Sequence, residues 1–411
     1  MKIGVVGAGV SGIIFAINRK MKHQRDEVIV FEHLDKPLKK ILSTGNGKCN
    51  IGNKIPYKES GKNAIVEHIL TEYDYDKQKE FLNSLNIKTK LVNDLEYPIS
   101  ESAITVRNLL LQSAEENKVK IFTEIEILNY QIIEDGIELE TSNGKYYFDK
   151  LVFATGGKSS PKLGSDGSII PILKKHDYLV NEFIPALCPI KTKERTKVLD
   201  GTRVKAIVTL FSDKKQTFKE EGEVLFKDRG LSGIVIFNAS RVIANNIYKL
   251  NELRIDLLPS LNEKELNTFF KEKGSEVFLN AYFHPNLIKY IKELRIKDDQ
   301  LVKTVKALPF TFTDFYGFDY SQISVGGIDF VGLNPQLESL KEEGVYFLGE
   351  LLDYDAPCGG YNLMWAIGTA LYLSDKMAWK KDVSNILLFY LLLLNVMVDV
   401  LNVFDFIKHC A

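Results

Sequence analysis

Near the start of the chain, Gly7-Ala8-Gly9-Val10-Ser11-Gly12 carries the spacing that lets a backbone wrap a pyrophosphate. Gly7 permits a tight turn, Gly9 lets the backbone approach the phosphates, and Gly12 lets the next helix pack close to the preceding strand. Val10 and Ser11 open that helix, whose free N–H groups and positive dipole end favour an anion. Glu32 stands 20 residues beyond Gly12, the place of a carboxylate that binds a ribose 2′-hydroxyl and repels a 2′-phosphate. The expected ligand is a dinucleotide.

Three further segments leave the backbone bare beside a strand or helix end. Thr155-Gly156-Gly157 follows the apolar Leu151-Val152-Phe153-Ala154, and Gly349-Glu350 follows the apolar run Gly344–Leu348. Cys358-Gly359-Gly360-Tyr361-Asn362 precedes a helical pattern that runs to about Leu373. Singly, each reads as a turn, a strand end or a helix start. Together they offer close approach for a flat ring and a Glu350 carboxylate for sugar or ribitol hydroxyls. They also offer a helix dipole that stabilises negative charge on a reduced ring. Among motif residues only Cys49 and Tyr361 could donate a proton. Cys49 reads first as a small buried filler and Tyr361 as a ring-packing residue. The six histidines, including His33, fall outside the motifs and read as surface or packing residues.

The elements that must hold these residues follow from hydrophobic period. Apolar strands at 2–6 and 27–32 flank a helix at 10–21, a βαβ unit. Helices are expected at 77–85 and at 101–117, the latter capped by Ser100-Glu101-Ser102. Strands are expected at 119–141 and 151–154. From about 190 to 320 the character changes to antiparallel strands at 202–211, 216–226 and 253–258, with charged helices at 262–273 and 286–306.

The 411 residues are 45% hydrophobic, enough for more than one core. Lysine plus arginine number 53 against 54 aspartate plus glutamate, so no basic field draws a nucleic acid. Cys49, Cys188, Cys358 and Cys410 are widely spaced without a CxxC pair, which argues against a disulfide framework and against a metal site, and a cytoplasmic location is expected. Residues 386–394 are unbroken apolar, with Asn395, Asp399 and Asn402 beyond them. This tail reads as a buried helix or a homo-oligomer interface, ahead of membrane contact and of a segment foreign to the fold.

The joint pattern resembles the BaiN/YhiN-type family of NAD(P)/FAD-dependent oxidoreductases, which includes aminoacetone oxidase-like flavoproteins. The likeness rests on Lys39-Lys40-Ile41-Leu42-Ser43-Thr44-Gly45-Asn46-Gly47-Lys48-Cys49-Asn50, Tyr97-Pro98-Ile99-Ser100, Gly222-Glu223-Val224-Leu225-Phe226 and Gly230-Leu231-Ser232-Gly233. It rests also on Val325-Gly326-Gly327, Gly349-Glu350-Leu351-Leu352-Asp353 and Cys358-Gly359-Gly360-Tyr361-Asn362-Leu363-Met364-Trp365-Ala366. Two positions depart: Lys48 stands where the family usually has arginine, and Ile234 where it usually has proline. The resemblance implies an α/β fold: a Rossmann-type FAD-binding domain of the two-dinucleotide-fold kind, with an inserted β-rich domain and a helical cap. The corresponding division is 1–190 and 321–380 for the FAD domain, 191–320 for the insert with its cap at about 260–307, and 381–411 for the tail. It also implies that Lys40, Thr44, Gly45, Asn46, Gly47, Cys49, Asn50 and Asp353 lie near the flavin.

The expected function is an FAD-dependent reductase or oxidase of a small organic molecule, with the flavin as hydride carrier. One GxGxxG leaves no second Rossmann domain for NAD(P)H, so a nicotinamide would visit transiently, or oxygen would be the partner. The rivals are a non-catalytic FAD-binding or sensing module and a flavin-dependent RNA-modifying protein.

Overall fold

The computed structural model describes residues 1–57 and 63–378; the tail, with the reading attached to it, lies outside the described residues. Five parallel strands form the central sheet, in the order Val345–Phe347, Lys150–Phe153, Lys2–Val6, Glu27–Phe31 and Lys120–Phe122. Strands Lys150–Phe153, Lys2–Val6 and Glu27–Phe31 are buried along nearly their whole length, which is why they read as continuous apolar runs rather than as alternation.

Helix Val10–Lys22 runs from the glycine turn and lies against the late helix Tyr361–Lys376. Asn18 Nδ2 donates to Ser374 Oγ (2.5 Å) and Asp375 Oδ1 (2.9 Å). Arg19 donates to the carbonyls of Ser374 and Met377 and, through Nε, to Asp26 Oδ2 at 2.6 Å. The other Asp26 oxygen takes the amino terminus at 2.6 Å. Arg19 and Asp26 keep only 3% and 9% of their side-chain surface, so removing one partner would cost about 3–5 kcal/mol. One hydrophobic cluster therefore joins residues 3–180 to residues 328–377.

A second cluster spans residues 186–325. Six strands close it into a barrel, ordered Ile190–Thr192, Gly230–Ser232, Lys215–Lys227, Arg203–Ser212, Asn251–Asp256 and Leu308–Phe315. Alternation sends Ala206, Val208 and Leu210 inward. Helix Ile234–Ala244 packs on the strand Lys215–Lys227 at Gly222, where a Cβ would come within 3.0 Å of Val235.

Several local expectations are corrected. The single helix expected at 286–306 is two, Pro285–Glu293 and Asp298–Lys306, because Arg295 takes a left-handed φ of 51° between them. The helix expected at 262–273 continues to Tyr282 through a break at Gly274. Ser102 precedes helix Ala103–Glu116 but makes no side-chain capping bond. Among the described residues no helix is long and apolar enough to cross a membrane.

The Ile234 departure now has a location. It is the first residue of helix Ile234–Ala244, 65% exposed, after Gly233 with ψ of 161°. Proline suits a first helical position, where the N–H has no intrahelical acceptor, and it tolerates an extended residue before it. Ile234→Pro is therefore expected to stabilise the protein by about 0.4–1 kcal/mol. The urea midpoint should rise; a fall would show that this turn cannot accept the family's usual residue.

Candidate active site

A cavity of about 400 Å³ opens where the sheet's carboxyl ends meet the glycine turn. Gly7, Gly9, Val10 and Ser11 line it, together with Glu32, Glu126 and Ile127. Lys40, Thr44, Thr155, Gly156 and Glu350 also line it, as do Asn362 and Leu363 in the first turn of helix Tyr361–Lys376. This glycine-rich lining fits a dinucleotide. Two details test the fit. A Cβ on Gly9 would meet only the Ala154 carbonyl oxygen, at 4.0 Å, so Gly9 faces open space. Thr155 Oγ1 is buried without a hydrogen-bond partner, an arrangement that costs free energy unless a ligand supplies one.

The glycine turn works by two different means. Gly7 has φ of 105° and its backbone presses on Ala154. Gly12 packs on the Gly7 carbonyl, so it shapes the turn from behind and does not line the cavity. Glu32 accepts from the N–H groups of Ala8 and Leu34, both at 3.0 Å. These bonds aim the carboxylate across the turn and leave it acceptor capacity for a hydroxyl.

In the middle of the cavity wall Lys40 Nζ donates to Glu350 Oε2 (2.7 Å), to Ser159 Oγ (2.5 Å) and, at 3.4 Å, to Ser165 Oγ. Glu350 Oε1 accepts from Ser159 Oγ (2.9 Å), from Ser324 N–H (2.9 Å) and from Ser324 Oγ (3.3 Å). Gly157 stands behind this network, where a Cβ would fall 2.1 Å from Ser324 Oγ. Gly349 is anchored to the late helix: its N–H donates to Thr369 Oγ1 and its carbonyl accepts from Trp365 Nε1.

Other candidates are not brought to the cavity. In the segment expected near the flavin, Lys48 N–H and Cys49 N–H turn back onto the Gly45 and Thr44 carbonyls at 3.1 and 3.0 Å. Gly45, Asn46 and Gly47 all take left-handed φ in this self-closing loop, and none of them lines the cavity. Lys48 reaches Glu101 on the surface at 3.1 Å. The Asn50 amide is oriented to donate to the Gly52 and Glu96 carbonyls and to accept from Gly360 N–H at 3.3 Å, so it ties this loop to the Gly359–Gly360 turn. Asp353 sits apart, accepting from Asn181 Nδ2 at 2.7 Å, with burial raising its pKa above the usual carboxylate range. Tyr361 is half-buried, packs on Tyr57 at 5.4 Å between centroids and does not line the cavity; burial raises its pKa.

Cys49 is fully buried, and burial pushes its thiol up to about 11. At pH 8 about one molecule in a thousand would carry the thiolate. Cys49 should stay unlabelled by a maleimide in the folded protein, and Cys49→Ser should keep the flavin reducible. Complete loss of reduction with FAD still bound would make this thiol a redox group.

Several residues in the cavity wall (His33, Ser165) or buried directly behind it (Ser159, Ser324) escaped the sequence reading. His33 lines the cavity, with Nδ1 3.3 Å from Glu32 and Nε2 3.7 Å from Asp166. Ser159 and Ser165 lie in the run 156–168, whose four glycines and four serines were the available signal. Ser324, beside Gly326-Gly327, offered no pattern of its own. Among the described residues no acidic, histidine and cysteine cluster could hold a metal.

Residues 1–375 match the model of the HI0933-like protein Rossmann domain family. The chain belongs to this family. It is a family of flavoprotein oxidoreductases with a Rossmann-type FAD-binding domain, the class its residues resembled. A relative from Clostridium scindens, named 3-dehydro-bile acid delta(4,6)-reductase, is 31% identical over 92% of this chain and 98% of its own. A ribosomal RNA dihydrouridine synthase from Escherichia coli is 26% identical over 89% of this chain and 95% of its own. Among solved structures, E. coli quinol fumarate reductase FrdA aligns at 12% identity and a TM-score of 0.46, covering 92% of this chain and 70% of that one.

Proposed function

We propose that this family member is an FAD-dependent reductase that adds hydrogen across an electron-poor carbon–carbon double bond of a small organic substrate. The observation that carries the FAD assignment is the cavity, which brings together a bare Gly9, the Glu32 carboxylate and the first turn of helix Tyr361–Lys376. The choice of a double bond is supported by the two named relatives, since the names delta(4,6)-reductase and dihydrouridine synthase both describe the addition of hydrogen across a carbon–carbon double bond. A net charge of −1 favours a small molecule over RNA.

Bound FAD would supply the hydride. The chain's own residues hold and orient it. Glu32 would take ribose hydroxyls at the adenosine end, which makes FAD rather than FMN the cofactor. The Gly9 backbone and the start of helix Val10–Lys22 would face the pyrophosphate. Thr155 Oγ1 and the Lys40–Glu350 pair would meet the central linker. Gly359 and Gly360, expected at the cofactor, do not themselves line the cavity but set the start of helix Tyr361–Lys376, whose first turn would sit at the ring, where the helix dipole favours the reduced, anionic form.

Anaerobic stopped-flow tests this reading. The flavin should bleach with NADH or NADPH and recover its colour on mixing with an enone, at a rate that depends on enone concentration. Recovery with oxygen alone would make the protein an oxidase. A flavin inert to nicotinamides and enones alike would make it a binding module, and recovery with ribosomal RNA but no enone would move the substrate to RNA.

A further inference from the structure

Helix Ile234–Ala244 belongs to the barrel core, yet the stripe Asn238, Arg241 and Asn245 is spent on a segment of the other domain. Asn238 Oδ1 accepts from Cys358 N–H at 2.9 Å. Arg241 pairs through Nε with the Asp355 carboxylate and donates through Nη2 to the Asp355 carbonyl at 3.1 Å. Asn245 Nδ2 donates to the same carboxylate at 3.3 Å. Spacings of three and four residues place these groups on one helix face. Asn238 is itself oriented from behind: its Nδ2 stands 3.0 Å from both oxygens of Glu220, on the strand Lys215–Lys227.

The segment held in this way, residues 355–358, leads straight into Gly359 and Gly360, with φ of 126° and 91°, and then into helix Tyr361–Lys376. Asn362 and Leu363 of that helix line the cavity. The opposite flank of the turn is held by Asn50 against Gly360 N–H. Closure of the barrel needs none of these bonds, since its strands pair among themselves. Apolar contact alone could dock two domains, but it would not orient a particular N–H. A buried hydrogen bond is directional, and its loss leaves a donor unpaired.

We infer that Asn238, backed by Glu220, is a positioning residue that fixes Cys358 N–H and the Gly359–Gly360 turn, so that the barrel domain sets the reduction potential of the flavin. The inference rests on the proposed placement of the flavin ring at this turn. Burial raises the Glu220 pKa while the Asn238 amide opposes the shift, as expected of a carboxyl committed to one partner. The stabilisation that a helix N-terminus gives a reduced ring depends on distance and direction, so a small movement of the turn changes it.

The test is a spectroelectrochemical titration of the purified, FAD-loaded protein without substrate. In Asn238→Ala the reduced-to-oxidised ratio at fixed potential should fall about tenfold, or about 30 mV for a two-electron couple. The double variant Asn238→Asp with Glu220→Gln reverses the hydrogen bond between the two side chains while keeping an acceptor for Cys358 N–H, and it should return the potential to the wild-type value. Asn238→Asp alone sets two carboxylates face to face and should stay shifted. If Asn238→Ala fails to fold or to hold FAD, the comparison of Asn238→Asp with the double variant decides. Folded, FAD-loaded variants with wild-type potential and visible spectrum, and only a lowered melting temperature, would reduce the stripe to a docking contact and overturn the inference. A wild-type protein without reducible FAD would overturn the functional reading as well, so the two failures are distinguishable.

Discussion

Gly9→Val is expected to give a folded protein that purifies without FAD, while Gly7→Ala gives little folded protein. The two glycines are two residues apart and do opposite things. Gly9 has φ of −75° and ψ of −174°, a conformation open to any residue, and a Cβ there meets only the Ala154 carbonyl oxygen at 4.0 Å. A valine side chain therefore enters the cavity without straining the backbone. Gly7 has φ of 105°, and a Cβ would lie 2.5 Å from the Ala154 oxygen and 2.8 Å from its carbon, both backbone atoms that cannot swing aside. Titration of apoprotein with FAD should show at least about a hundredfold weaker binding for Gly9→Val, roughly 2.7 kcal/mol. Its melting temperature without FAD should match that of wild-type apoprotein. A yellow Gly9→Val protein with wild-type affinity would show that the pyrophosphate does not pass this turn.

Lys40→Met and Glu350→Gln should move FAD affinity by very different amounts, although they break the same ion pair. The pair is mostly buried, with 26% and 20% of the side-chain surfaces exposed. Lys40→Met leaves the Glu350 carboxylate with neutral donors only, from Ser159 and Ser324, in the wall of the cavity proposed to receive the pyrophosphate. Affinity should fall about 10- to 100-fold and the apoprotein should lose about 1–3 kcal/mol of stability. Glu350→Gln keeps an acceptor for Ser324 N–H and leaves the Lys40 ammonium on Ser159, now without its counter-charge and better disposed to an anion. Affinity should stay within about threefold of wild type on the same reasoning. The measurement is quenching of flavin fluorescence on rebinding, at two salt concentrations. Equal losses in the two variants would show that the pair matters as a structural unit rather than through its charge balance.

Much of the first domain was legible because its signals are local. The strand Lys2–Val6, the turn at Gly7–Gly12, helix Val10–Lys22 and the strand Glu27–Phe31 follow one another within 31 residues, and each announces itself by apolar period or by glycine. The antiparallel pair Arg203–Ser212 and Lys215–Lys227 was legible for the same reason, being joined by a short turn. The break within the helix expected at 286–306 was not, because a left-handed Arg295 leaves no mark in a charged, amphipathic stretch.

The sequence by itself determined that Gly9 and Glu32 would stand together at the carboxyl end of a parallel sheet, since strand, turn and helix dictate that geometry within one βαβ unit. Only the tertiary structure decided which of the other candidates face the cavity. Lys40 and Glu350 are 310 positions apart and join through serines that no local period singles out. The Gly45–Asn50 loop, for all its glycines, closes on its own carbonyls because consecutive left-handed residues curl it inward, and it reaches the turn at Gly360 only through Asn50. Asn238, Arg241 and Asn245 look like the polar face of an ordinary helix until the barrel is laid against residues 355–358. Such contacts arise when separate chain segments pack, and the energy that selects them belongs to that packing and not to any stretch of sequence read alone.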